Sequence, residues 1–451
     1  MTTIVARVLR LGAGVGAAIA ITLGGIAPVG ATPSAINSFY LGSCNTRTDV
    51  CEPSGIAIDP SGTLWVGDLG NDVMTKISAD GSTATDVVDQ TNVPGLGYII
   101  GVAYANGYIY FSDTGNDAIW RIPDSATSAA STTPELVSQS PALSAPWTLG
   151  VAVDGSGDVF WSDGQSTGHV YEHLAGAPTS SYVTFGTGLD APAQIAFGPD
   201  GKLYVADYGD SSVMVLPLGG GTATTYVSDP STTGTGLTSL AFAPDGSGTL
   251  YVIDGSQGSV VGVSQVARTT AGTAGTVSVV APNTGNVISL PAGVAFGPTG
   301  LLFPDIGNAN IWSTTVPDLA PGQPQNLAAT LTATSATVTW APPLYVGSGV
   351  TSYTVSVQPG GASCTVAAPA ATCTITGLDA STSYTFSITA TGPGGTSVPT
   401  SATASTSAPV VVPPATLAST GFDAAAIVAA GSFLVVAGAI LAPRRRRLRS
   451  E

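Results

Sequence analysis

Charge is scarce in this chain of 451 residues. Asp, Glu, Lys and Arg make up 9% of it, and 12 Lys and Arg stand against 28 Asp and Glu, for a net charge of −16. Between Thr32 and Thr420 the imbalance deepens to five cations against 26 anions, a net −21. Such a surface repels polyanions, which excludes nucleic acid as a partner. Histidine is rarer still. His169 and His173 are the only two, in the run Gly168-His169-Val170-Tyr171-Glu172-His173. On a strand the two imidazoles face one way and Glu172 the other. A metal site needs three or more convergent ligands, and one strand offers two, so both are expected to be structural and at the surface. Apart from the last residue, Glu is confined to Glu52, Glu135 and Glu172. Paired-carboxylate chemistry needs two placed acids, and no pair stands out. The four Cys form two close pairs, Cys44 with Cys51 and Cys364 with Cys373. Neither pair neighbours a His, which argues against catalytic thiols; with export, both pairs are expected as local disulfides, the second across a hairpin. No residue is assigned a catalytic, cofactor-binding or metal-binding role.

What the chain does have is repetition. Six copies of one pattern run through residues 53 to 313: IAIDPSGTLWVGDLGN, VAYANGYIYFSDTGN, VAVDGSGDVFWSDGQS, IAFGPDGKLYVADYGD, LAFAPDGSGTLYVIDGSQ and VAFGPTGLLFPDIGN. Each places an Asp at the same point: Asp68, Asp113, Asp163, Asp207, Asp254 and Asp305, at spacings of 45, 50, 44, 47 and 51. Each copy predicts a short apolar strand, a Gly turn, a β-branched and aromatic strand ending at the Asp, then two further strands. Four antiparallel strands per unit, repeated radially, define a β-propeller blade. No helical period interrupts them, which excludes a βαβ fold. Residues 36 to 316 divide into six units of about 47 residues, the usual length of a four-stranded blade. The sixth copy stops after its third strand near Val316. The segment 36–41 is therefore expected to supply the missing strand and close the ring.

These units resemble NHL repeats and, more loosely, YWTD repeats. The resemblance implies that the Asp caps its turn and ties its blade as a hydrogen-bond acceptor, in place of a metal ring. The Gly-Asn after it (Gly70-Asn71, Gly115-Asn116, Gly307-Asn308) is expected to provide a left-handed turn residue. The repeat style is similar to that of streptogramin lyases, which use a His, a Glu and a divalent metal at the propeller centre. It is also similar to lactonase-type propellers, which need a Glu and Asn residues around a metal. No Glu lies on an inner strand here, so the resemblance does not carry either set over.

Residues 319–407 change character, with short alternating strands that predict a β-sandwich. Trp340, Tyr353, Leu378 and Tyr384 stand where a fibronectin type III domain keeps its core Trp and its corner Leu and Tyr, and the segment resembles that family. No RGD tripeptide occurs, and a spacer role is expected. Residues 408–416 form a Pro-rich linker.

The chain ends imply export. Arg7 and Arg10 precede an apolar run from Leu11 to Pro28, and residues 1–31 read as a signal peptide whose apolar run would be helical. At the other end Leu417-Ala418-Ser419-Thr420-Gly421 precedes the apolar stretch 424–442 and then Arg444 to Arg447. At 1.5 Å per residue that stretch spans about 28 Å as a transmembrane helix, with the Arg cluster on the cytoplasmic side. Residues 417–451 resemble a cell-wall sorting signal of the LPxTG type in its LAxTG form. The resemblance implies a sortase that cuts after Thr420 and joins it to peptidoglycan. The fold class expected is therefore all-β: a six-bladed propeller plus a fibronectin type III sandwich, between a signal helix and a transmembrane helix. The expected protein sits at the cell wall or cell surface, and its propeller binds an extracellular protein, peptide or glycan. The alternative is a metal-dependent propeller enzyme, lyase or hydrolase, displayed there.

Overall fold

The second strand of each repeat lacks the in–out alternation of a half-exposed sheet. Leu64–Asp68, Leu203–Asp207 and Leu301–Asp305 are buried at every position. A strand covered on both faces reads this way, and here the covers are the neighbouring blades. In the computed structural model the residues described are 36–42, 50–139, 148–228, 236–254, 262–268, 274–282, 290–298, 300–316 and 319–407. The signal segment, Cys44, the linker 408–416, the sorting residues Leu417, Ala418, Ser419, Thr420 and Gly421 and the stretch 424–442 lie outside them. Among the described residues no helix is long and apolar enough to cross a membrane.

The architecture is all-β. Six sheets follow one another along the chain, antiparallel except where Gly221–Thr222 joins the third in parallel beside Val183–Leu189, and their innermost strands are Pro53–Ile58, Ile99–Ala105, Val151–Val153, Pro192–Phe197, Leu237–Phe242 and Ala295–Phe296. The expected closure is present. Ile36–Leu41 pairs antiparallel with Asn310–Thr314, Ile36 opposite Thr314 and Leu41 opposite Asn310. The last blade thus holds strands from both ends of the propeller, and its outer edge is not left open.

Neighbouring blades approach most closely beside the axis. A side chain at Gly55 would clash with the Ile100 carbonyl of the next blade, one at Gly101 with that of Leu149, and one at Gly293 with that of Ser54. Hydroxyls stitch the same seams. Ser54 Oγ donates to Ile99 O at 2.6 Å and Ser162 Oγ to Ala193 O at 2.5 Å. Wedge-shaped apolar clusters fill the space further out, one of them built on Trp65, Met74, Ile99, Phe111 and Ile122.

Residues 325–405 form the sandwich. One sheet holds Gln325–Leu331, Ser335–Ala341 and Thr372–Thr376; the other holds Ser363–Ala367, Ser352–Gln358, Ser383–Gly392 and Thr400–Ser405. Trp340 and Tyr353 sit in its core with ring centroids 5.4 Å apart. The Tyr384 hydroxyl accepts the Asp379 N–H at 2.8 Å. Cys364 and Cys373 are joined, but not across a hairpin: their strands pair in opposite sheets. The bond staples the sandwich together, because the intervening residues cross from one sheet to the other instead of turning back. Cys51 is also disulfide-bonded.

The sandwich is seated on the propeller. Tyr345, 1% exposed, stacks edge-on against Phe296 at 5.5 Å, and Phe296 stacks on Tyr251 at 5.2 Å. The Tyr345 hydroxyl donates to Val316 O at 3.3 Å, and Val346 N to Pro298 O at 2.8 Å. Val398 lies against Gly246. Val316, Leu319 and Ala320, between the two domains, are buried in the same cluster or beside it. A free spacer would be joined by an exposed linker; here the described residues of the connection, Val316, Leu319 and Ala320, are apolar and buried. Every described sheet lies between Ile36 and Ser405, so this segment carries its own cores and its own ring closure.

Candidate functional site

Antiparallel strands put the turns of a propeller on two faces. The turns between first and second strands share one face; the turns between second and third strands, with the segments that enter each blade, share the other. The repeat Asp belongs to this second face. Asp68, Asp113, Asp163, Asp207 and Asp305 are each at most 3% exposed; the side chain of Asp254 lies outside the described residues. Asp68 accepts the N–H groups of Cys51 at 2.8 Å and Glu52 at 3.0 Å from the segment entering its blade. It also accepts Gly70 N at 2.9 Å and the Asn71 amide at 3.0 Å from its own turn. Asp305 accepts Leu290 N at 2.6 Å, the Asn308 amide at 2.8 Å and the Trp312 indole at 3.0 Å. Asp113 accepts Gly97 N and the Asn116 amide, both at 2.9 Å. Asp207 accepts Asp190 N at 3.0 Å. All of these links are made inside one blade; the backbone donors Cys51, Glu52, Gly97, Asp190 and Leu290 tie the second turn to the entering segment.

The left-handed residue of that turn is not the Gly or the Asn. It is the next one, Asp72, Asp117 or Ala309, with φ near +54°. The Asn side chain is engaged with the repeat Asp, so the turn places its tight residue one step later. Burial raises the Asp113 carboxyl against its hydrogen bonds from Asn116 and Gly97. Burial, with the Asp113 charge behind it, pushes Asp117 up to about 7. Asp207 is also pushed to about 7, by burial first, with Asp210 and Asp190 adding their charge against the single backbone donor.

Blade 3 replaces the short turn with a longer one, and its acceptor takes different donors. Asp163 accepts His169 N at 3.0 Å and meets His169 Nδ1 at 3.2 Å and the Tyr171 hydroxyl at 3.4 Å. The His169 side chain is 36% exposed. His173 is not at the surface: it is 3% exposed, and its Nδ1 donates to Ser181 O at 2.8 Å. The segment leading into the outer strand reaches it at Ser181, which the alternation of residues 169 to 173 alone could not show. Among the described residues no three His, Cys, Asp or Glu converge as metal ligands.

The axis carries a second feature, absent from the sequence reading. The inner strands enclose a channel of about 440 Å³. Six alanines, one per blade, are among its lining residues: Ala57, Ala103, Ala152, Ala196, Ala241 and Ala295. Its mouth, on the face of the first turns, is ringed by Ile58, Tyr104, Val153, Phe197, Phe242 and Phe296, all half-buried. No lining side chain is ionised at neutral pH; apart from the Tyr104 hydroxyl, only Gln194 and Ser239 are polar. These two stand where four other blades have Gly, at Gly55, Gly101, Gly150 and Gly293. That break in the repeat was readable, and is the signal that would have pointed to the axis. Ser239 Oγ accepts Val294 N at 3.1 Å. The Gln194 amide reaches across the channel to Ile100 O, at a long 3.4 Å.

Residues 322–407 match the fibronectin type III domain family. No curated protein matches the chain in sequence. Among solved structures it is similar to a streptogramin B lyase, at 15% identity over 69% of this chain and 96% of that one, with a TM-score of 0.44. It is similar to the virginiamycin B lyase of Staphylococcus aureus, at 14% identity over 63% and 99%, with a TM-score of 0.44. It is also similar to a gluconolactonase of Xanthomonas campestris, at 17% identity over 63% and 90%, with a TM-score of 0.47. These are likenesses of fold, and no activity passes to this chain from them.

Proposed function

We propose that the chain is an exported surface protein, joined to the cell wall through Thr420, whose propeller binds an extracellular protein, peptide or glycan. The observation that carries the binding reading is the pinning of the second turns. A buried carboxylate holds the second turn to its blade in blades 1, 2 and 6, so these turns are loops of fixed shape on one face, and preformed loops bind without the cost of ordering them. Anchoring is supported by the order of Leu417 to Gly421, the apolar stretch and the Arg cluster, which the sortase reaction requires. The test of anchoring is fractionation after muramidase digestion. The wild type is released by digestion, and Thr420→Ala stays in the detergent-soluble membrane fraction. A wild type that detergent extracts without digestion, with residues from Gly421 onward attached, refutes the sorting. The test of binding is saturable capture of a component of the surrounding culture on residues 32–407; absence of any such component refutes it.

The rival reading, a propeller enzyme, has one observation on its side. Asp163 fixes the tautomer of His169 and leaves Nε2 for a proton or a metal. Turnover abolished by a chelator or by His169→Ala would establish it.

A further inference from the structure

We propose that the central channel is a binding site for an uncharged, predominantly apolar small molecule, entered from the face of the first turns. The site goes beyond whatever the opposite loops bind. Its volume, about 440 Å³, falls within the range of small-molecule pockets, which are lined mostly by apolar and aromatic side chains with few polar groups. The volume stays open because the inner strands turn their edges, not their side chains, to the axis; each of the six alanines packs into a seam between blades. The mouth supplies four aromatic side chains, Tyr104, Phe197, Phe242 and Phe296. Their exposed edges are apolar surface that a ligand removes from water at roughly 25 cal/mol per Å².

The wall selects against charge. No lining side chain could pair with an ion, and an unpaired charge is costly to place in such a site. Hydrogen bonding is still on offer. The inner strands are sheet edges on the channel side, so their outward backbone groups have no strand partner. Gln194 adds an amide with two N–H groups and two acceptor positions, of which the long bond to Ile100 O uses one. A ligand with an alcohol or amide at one end and a chain or ring at the other meets both features.

The seat of the sandwich borders this mouth. Phe296 lines the channel on one side and stacks on Tyr345 on the other, so the second domain backs one wall of the site.

The experiment uses residues 32–407 and the neutral fluorophore N-phenyl-1-naphthylamine. Saturable emission from one site is expected, displaced by decanol and at least tenfold more weakly by decanoate. Gln194→Glu keeps the shape and adds a charge, and should weaken the fluorophore at least tenfold. Circular dichroism and melting report whether Gln194→Glu folds; if it does not, the competition pair decides. Leu218→Ser, at an exposed apolar residue on an outer turn (68% exposed), should leave affinity unchanged. Binding that survives Gln194→Glu within twofold, that decanoate displaces as well as decanol, or that Leu218→Ser removes, overturns the channel site. No saturable binding of the fluorophore or of decanol also overturns it. Capture of a culture component by the wild type and by Gln194→Glu alike would leave the loop-binding reading standing on its own.

Discussion

Replacing Asp68 with Ala removes one carboxylate and strands the donors aimed at it: Cys51 N, Glu52 N, Gly70 N and the amide of Asn71, all within 3.0 Å. The carboxylate itself is 0% exposed. Hydrogen bonds to a charged acceptor contribute about 1.5–3 kcal/mol each, and a buried donor left unsatisfied costs about 1–3 kcal/mol. Gly70 is exposed and can turn to water, so not every donor contributes in full. With two donors left dry, the loss is about 3–4 kcal/mol, a large share of the 5–15 kcal/mol typical of a folded domain. The assay is urea unfolding at neutral pH, followed by tryptophan emission. Asp207→Ala is the internal comparison. Asp207 is as buried but has one backbone donor within reach, and its charged form is held there at a cost. Its removal should change stability by less than about 1 kcal/mol. Equal losses in the two variants, or no loss at Asp68, would refute the argument that donor number sets the role of each repeat Asp.

Tyr345→Ala should cost about 3–5 kcal/mol, as for other buried aromatics, and should split a single calorimetric transition into separate propeller and sandwich transitions; two transitions already present in the wild type would contradict the seated arrangement. The folded protein holds protons on Asp117 and Asp207, at about 7, that the unfolded chain releases near the ordinary carboxylate value. More protons bound in the folded state means stability falls as pH rises from 5 to 7 and levels off above; urea midpoints across that range measure it, and Asp207→Asn should flatten the slope. Reducing the Cys364–Cys373 bond, or Cys373→Ser, should destabilise the sandwich by about 2–3 kcal/mol, from loop-closure entropy over a separation of 9; unchanged unfolding under reducing conditions would be the contrary result.

The propeller was legible because its signals are local and repeated six times. An apolar strand, a Gly turn and an Asp at a fixed offset need no partner to be read, and the pairing of Ile36–Leu41 with the last blade followed from counting strands. What stayed hidden is what depends on the neighbour of a neighbour. The burial of His173 goes with its contact to Ser181, ahead of the outer strand, the left-handed residue with the use Asn71 and Asn116 make of their amides. The cross-sheet disulfide depends on which sheet each of two short strands joins, and a separation of nine residues fits a hairpin as well as a crossing. The channel was invisible for a different reason. Its alanines look like ordinary strand residues until six of them meet at one radius.

The seating of the sandwich changes what its loops can do. The segments 342–351 and 393–399 lie at one end of the domain, and Tyr345, Val346 and Val398 commit both of them to blades 5 and 6. Tyr345, buried in that contact, cannot also meet a partner, while Pro342, Ser348, Pro393 and Thr396 of the same loops stay exposed. The propeller face with the first turns carries the sandwich at blades 5 and 6, while first-turn residues of other blades, such as Ser61, Asn106 and Ser156, stay exposed. On the opposite face the second turns of blades 1, 2 and 6 are held by the repeat Asp, which suits them to a large ligand under the binding reading, and the axis is left for a small one.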